Sequence, residues 1–485
     1  MAVYKLFPEK DATLYTQDVT MNTGLDEILE ASTYLLNDAA QSSRYLIKFA
    51  SNELTGAYTN YVSGSGISYL EGDLCTFPNS FTQNPTNLEN GVFSFPLTVS
   101  QSKGIGGELT VVVVGHTIVS AVVINRGKNY LIGDQFKILR LQTTSSAFTT
   151  ASLTLNNNDF ANRSFKVNLR NYAAVVTNLN STSYLKVYPI SQSWDMGTGR
   201  FGNSPVTTNG CSWRDRTTGV NWTNGNFNAL TTGSYSQNAG TSIGGGTWFT
   251  GSTTLKNIVQ GQTFTYSDPI DLNVDVTNTA DTWISNSLGI AGGDIPNEGF
   301  LIKQTSSVEF IPSESFCSTF KYYSVDTNTI YPPQLDFKFD DFYYGTASAE
   351  KGILVRKMET LSKPEAFIST YNNDGVYFSE SVQRFRIAAV PQYPPKVFQT
   401  QSGYLNNFLL PKTSYYAVKD SETNEYVINF DDTYTQVSAD TTSSYFDIYM
   451  GGLEPERYYT ILLKTTIDGT TKVFDEDIMF KVTNG

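Results

Sequence analysis

A set of strand-like segments scattered from residue 11 to residue 337 constrains this chain more than any other feature. Residues 11–15 (Asp-Ala-Thr-Leu-Tyr) and 44–49 (Arg-Tyr-Leu-Ile-Lys-Phe) open the set, and 151–155 and 184–188 carry it toward Trp194. Residues 299–303 and 332–337 close it. Aromatic and β-branched side chains fit a pleated, half-buried surface, and Gly, Asn and Asp make the turns between. Together the segments predict one β-sandwich interrupted by long insertions. Helical periodicity is almost absent; its best instance is 23–34, where Leu25, Ile28 and Leu29 share a face. Tyr and Phe number 30 each against 16% charged residues. The expected class is therefore all-β: a multi-domain, jelly-roll-like β-sandwich with a small inserted β module and a C-terminal β-sandwich. The boundaries read as 1–345 for the first sandwich, interrupted at 56–150 and 217–262, and 346–485 for the C-terminal unit.

The insertion at 56–150 has its own pattern. Strand-like 108–114 turns at Gly115-His116 into 117–124. A turn through Asn125, Gly127 and Tyr130 and a Gly133-Asp134 pair then precede 135–139. Short strands separated by Gly and Asn turns predict a meander. The segment resembles a short β module that recurs in tailed-phage virion proteins.

From 217 to 262 Gly, Ser, Thr and Asn dominate, with Gly244-Gly245-Gly246 at the centre. Such a composition predicts a long exposed excursion. It carries Trp222 and Trp248, whose indoles are candidates for stacking on a sugar ring or for pinning the loop to the sandwich. Trp194, Trp213 and Trp283 are expected to fill the sandwich core, on or beside strands, with Phe300, Ile302, Leu335 and Phe337. In the C-terminal unit, Tyr- and Phe-rich strands and an Asp468-Gly469 hairpin turn leave open whether one sandwich or two small ones form.

No catalytic site is expected. His116 has no partner histidine, which removes His-based zinc and nucleophile systems. Asp336, Asp340 and Asp341, and Asp431 with Asp432, are carboxylate clusters, and Asp336 reads as part of a solvated sheet face. Neither a calcium loop nor a phosphate-cradling glycine motif is present, so no metal or cofactor is expected. A net charge of −13 argues against a nucleic-acid groove. Cys75, Cys211 and Cys317 are isolated and odd in number, which suits a reducing cytoplasm rather than a disulfide framework. The opening residues lack the apolar core of a secretory signal, and no stretch approaches the roughly 18 apolar residues of a membrane helix.

The interrupted sandwich resembles the DNRLRE-type domain, related to carbohydrate-binding sandwiches. The resemblance is carried by Asp11 to Tyr15, Arg44 to Phe49, Ala151 to Leu155, Val187 to Trp194 and Cys211-Ser212-Trp213. It continues through Asp275-Val276-Thr277 with Trp283, Asn297 to Lys303, and Tyr323-Ser324 with Pro332-Pro333-Gln334-Leu335. The name-giving tract is missing. The whole chain also looks like structural proteins of tailed phages, particularly cyanobacterial myophages, at residues 8–15 and 452–459. The resemblances imply a non-enzymatic virion protein of the tail, baseplate or neck, folded in the host cytoplasm. Its expected partners are other virion proteins, copies of itself and host polysaccharide. The alternatives are a carbohydrate-binding surface or adhesion protein and a tailspike-like glycan depolymerase.

Overall fold

Along Ala39–Phe49 the side chains alternate between two faces, and both faces are buried: Arg44 and Leu46 on one, Tyr45, Ile47 and Phe49 on the other. The same holds in Phe300–Gln304, where every residue is buried, which is why that strand reads as a nearly continuous apolar run. The computed structural model describes residues 2–37, 39–62, 81–83, 85–97, 105–128, 130, 133–155, 164–179, 182–223, 232–233, 244–249, 257–290, 295–305, 308–309, 318–344, 347–350, 353–379, 381–393, 407–440 and 442–484. These residues are nearly all β, with several sheets and two short α-helices, α1 (Ser51–Tyr61) and α2 (Thr277–Leu288). The chain divides into two compact units, one of 5–56 and 166–337, the other of 1–4, 57–165 and 338–485.

In the first of these the main sheet runs in the order Ala173–Thr177, Thr319–Tyr323, Ile28–Leu36, Ala39–Phe49, Phe300–Gln304, Ser183–Pro189, Gln260–Phe264. Pro8–Tyr15 also pairs with Ala39–Phe49. One face of this sheet turns toward a smaller sheet and α2: Asn171 Nδ2 donates to Tyr45 Oη at 3.0 Å, and Trp283 lies 4.7 Å from Phe300 between ring centroids. Phe165–Asn171, Leu272–Asp275 and Gln334–Phe339 contribute to the smaller sheet. The other face, bearing Ala12, Leu14, Leu46, Tyr188 and Leu301, is covered by Trp194, Trp213, Trp222 and Trp248.

Several expectations need correction here. Residues 23–34 form no helix; Ile28–Leu36 is a strand in which Leu29, Ala31 and Thr33 alternate inward, because the period-two pattern buries more than the helical one. Trp283 is buried but sits on α2, not on a strand. Residues 151–155 are not part of this sandwich. Residues 151–154 belong to Phe148–Thr154, which pairs with Gln135–Gln142 and Phe81–Gln83 in the inserted module, and Leu155 packs in the same module's core. Asp336 is buried and accepts Gln334 Nε2 at 3.1 Å, so it does not lie on a solvated face.

Two large cores of the other unit are formed by described residues. The module packs Phe81–Gln83, Phe148–Thr154 and Gln135–Gln142 together with the meander Gly91–Leu97, Ile105–Val114, Thr117–Lys128 around Leu109, Val111, Phe136, Ile138 and Leu153. His116, at φ 66°, serves the meander's turn, with its ring Nδ1 2.8 Å from Leu88 O. Most C-terminal strands pack around one large core. Tyr416 stacks on Phe446 at 4.3 Å, and Phe385, Tyr459 and Phe480 complete the filling. Its strands Tyr458–Ile467 and Thr470–Thr483 are joined by Asp468 and Gly469, both at positive φ, the turn geometry that the Asp-Gly pair predicts.

Candidate functional site

Trp222 is fully buried and Trp248 nearly so, and Trp222 Nε1 donates to Ser212 O at 2.9 Å. The expectation that these indoles form an open stacking platform is corrected: they are part of the cover on the main sheet. Within the Gly-rich excursion 217–262, residues 244–249 are buried whereas 218–221 and 223 are exposed, and 224–231, 234–243 and 250–256 lie outside the described residues. Gly246 explains the burial locally: at φ +87° it lies so close to Leu301 that a Cβ would stand 2.3 Å from Leu301 Cδ1. A glycine-rich segment can press its backbone onto a sheet, and a composition-based reading takes it for solvent-facing loop. Trp194, Trp213, Phe300, Ile302, Leu335 and Phe337 are all buried.

Under the indoles lies a charged cluster. Arg44 Nε and Nη2 donate to Glu309 at 2.9 and 3.1 Å, Lys303 Nζ donates to the same carboxylate at 2.6 Å, and Arg44 Nη1 donates to Gly245 O at 2.6 Å. The guanidinium lies 4.7 Å from the Trp213 ring and 5.2 Å from that of Trp248. Burial, with the Arg44 charge added, lowers the Lys303 amine to about 8 against the opposing pull of Glu309. All three side chains are closed to solvent. The cluster therefore ties the cover to the sheet and offers no surface to a ligand.

An open cleft lies elsewhere on the same unit. Its volume is about 570 Å³, and Tyr15, Gln17, Asp26, Glu27, Ile28, Glu30, Tyr34, Arg200, Phe201 and Lys321 line it. Ile28, Glu30 and Tyr34 share a face of Ile28–Leu36 by period-two spacing, and Glu30 is registered opposite Lys321 on Thr319–Tyr323. The Lys321 ammonium sits 3.2 Å from Glu30 Oε2, and Tyr15 Oη lies 3.4 Å from the same oxygen. The wall is the turn bearing Arg200 and Phe201. Phe201 N donates to Asp26 Oδ2 at 3.0 Å, Gly199 N to Asn22 Oδ1 at 2.7 Å, and Leu25 N to Gly199 O at 2.9 Å. The loop is thus held while the Phe201 ring, 5.1 Å from Tyr15, stays 51% exposed. Arg200 faces Glu27 at 3.9 Å, and Tyr34 Oη donates to Gln17 at 3.0 Å. Burial raises the Asp26 carboxyl, opposed by the Phe201 amide and Arg200.

Chemically the cleft offers paired acceptors and donors around one half-exposed ring. Both cations already face carboxylates. Among the described residues, no group of three or more His, Cys, Asp or Glu side chains is placed to hold a metal ion. Of the other carboxylate candidates, Asp431 accepts from Thr433 N and Tyr434 N and pairs with Lys338 at 3.3 Å, a turn-fixing role. Asp340 accepts from Phe342 N. No protein-family model, curated protein or solved structure matches the chain. Sequence reading missed Arg200, Phe201, Glu30 and Lys321. The one available signal was the Gly197-Thr198-Gly199-Arg200-Phe201-Gly202 run, an aromatic bracketed by turn residues.

Proposed function

We propose that this chain is a non-enzymatic structural protein of a tailed-phage virion, serving in the tail, baseplate or neck in assembly and in attachment to the host surface. The observation that supports it most is where the charged groups are placed. Ions on the sheets are held in fixed pairs, fully buried in Arg44–Glu309–Lys303 and partly exposed in Arg384–Asp447 and Arg386–Asp440, where they fix geometry. Some exposed apolar side chains sit on strands at the edges of the described sheets. Phe367 lies on the edge strand Ala366–Thr370, and Val376 and Phe378 lie on the edge strand Val376–Phe378. Such edges accept a further strand from another β-rich protein or another copy of this chain.

The reading is tested by mass spectrometry of purified, washed particles; absence of the chain from every structural fraction sinks it. Phe367→Lys with Phe378→Lys is expected to leave the purified chain folded and to deplete it from particles. Normal occupancy refutes the edge assignment. A second reading, a carbohydrate-binding surface or adhesion protein, draws on the Phe201 cleft.

A further inference from the structure

We infer that the cleft beside Phe201 is a saccharide site, taking a neutral sugar ring stacked on Phe201 and hydrogen-bonded by the Glu27–Arg200 and Glu30–Lys321 pairs. This rests on the attachment part of the proposed function and names its ligand class. The first ground is the ring itself. Phe201 is 51% exposed although its backbone is tied down through Asp26, so its exposure does not come from a loose loop. A flat apolar face held in water suits the C–H face of a pyranose.

The second ground is how the polar groups are paired. Glu30 and Lys321 lie 3.2 Å apart and Glu27 and Arg200 3.9 Å apart, each a carboxylate acceptor beside a cationic donor. A hydroxyl both donates and accepts, so neighbouring hydroxyls on one ring can answer both members of a pair. Charge decides against the other ligand classes. Asp26, Glu27 and Glu30 outnumber Arg200 and Lys321, so a phosphate, sulfate or uronate meets surplus negative charge. A cationic ligand must displace Arg200 or Lys321 from its partner. An uncharged polyol meets neither cost. The volume of about 570 Å³ lies inside the ~300–1,000 Å³ range of small-ligand pockets.

The test is titration of the purified chain with defined neutral oligosaccharides and their uronate-bearing counterparts, by calorimetry or by shifts of amide resonances. A neutral saccharide is expected to bind. Phe201→Ala and Arg200→Gln, both at exposed side chains, are expected to weaken it about tenfold or more with an unchanged melting temperature. Tyr266→Ala, an exposed ring outside the cleft, is the control that leaves affinity unaltered. Failure to bind any neutral saccharide, preference for the uronate series, or full affinity in Phe201→Ala overturns the assignment. Particle incorporation is read separately. A chain that binds sugar yet is absent from particles removes the virion reading and leaves the saccharide site standing.

Discussion

Glu309→Ala removes an anion that faces two buried cations. The wild-type carboxylate accepts from Arg44 at 2.9 and 3.1 Å and from Lys303 at 2.6 Å. After the change, Arg44 keeps Gly245 O and the Trp213 and Trp248 faces, and Lys303 keeps Gln304 O. Those contacts exist in both proteins and cancel. What is lost is the carboxylate that accepts from both buried cations, and removing one partner of a buried ion pair costs about 3–5 kcal/mol. All five tryptophans lie in the unit of 5–56 and 166–337, so indole fluorescence during urea unfolding reports on that unit. pH supplies a second reading. The Lys303 amine is lowered to about 8 from 10.5, by burial first and by Arg44 second. Between those values the unfolded chain holds a proton that the folded one lacks, so this group makes stability rise with pH across that window. The full rise is about 3 kcal/mol. Lys303→Met in the same series isolates this rise from the loss that buried tyrosines such as Tyr45 impose above pH 10. Replacing all three ions together (Arg44→Met, Lys303→Met, Glu309→Leu) is expected to cost far less than Glu309→Ala alone. A deficit under about 1 kcal/mol for Glu309→Ala, or a wild-type profile no different from Lys303→Met, refutes the reasoning.

Trp222→Ala, which empties a fully buried indole site, is expected to lower stability by about 3–5 kcal/mol in the same fluorescence-monitored unfolding. Asp11 is raised to about 8 by burial, with Asp326 adding to it against the Val325 amide. Its folded value lies above the unfolded one, so its contribution is full below about pH 4 and lost as pH rises through 8. Asp11→Asn should therefore gain about 5 kcal/mol over wild type at pH 9 and nothing at pH 4, measured by urea titration at each pH. Burial pushes the Cys211 thiol up to about 12. Peptide mapping after maleimide treatment is expected to find Cys211 unlabelled in the native chain and labelled in urea.

The strands were legible where local chemistry decides. The run Phe300-Leu301-Ile302-Lys303 and the alternating 44–49 segment announce themselves by composition, and the structure shows one reason: both faces of each are covered. What composition hides is the partner. Nothing near Trp222 or Trp248 indicates that Arg44 lies beneath the same cover, and a Gly-rich neighbourhood reads as solvent-facing for any segment that lacks such a partner. Helix α2 was recoverable. Asp275 Oδ1 accepts from Thr277 N at 3.0 Å and Gly289 follows the last turn at φ 66°, a start and a stop visible as Asp-Val-Thr and a terminal glycine. The cleft was illegible for a different reason: Glu30 and Lys321 are far apart in sequence and meet only through the register of two strands.

The chain order itself has a physical consequence. Phe300–Gln304 sits between Ala39–Phe49 and Ser183–Pro189, so both neighbours present an unpaired edge until it arrives. The N-terminal strands depend on the far end elsewhere as well: Val325 N donates to Asp11 Oδ2 across 314 residues, and Asn22 Nδ2 donates to Met196 O and Cys211 O. Closing such loops is slow relative to pairing neighbours. The inserted module has the opposite character, because Gly91–Leu97, Ile105–Val114 and Thr117–Lys128 pair in sequence order through short connections. Local hairpins can therefore form while the main sheet still waits for residues 300–304. The polar residues that line the inner edges of that sheet, Arg44 and Lys303 among them, then have a reason beyond stability. Charges that match only in one register penalise a misaligned strand during the long interval when its edge is open.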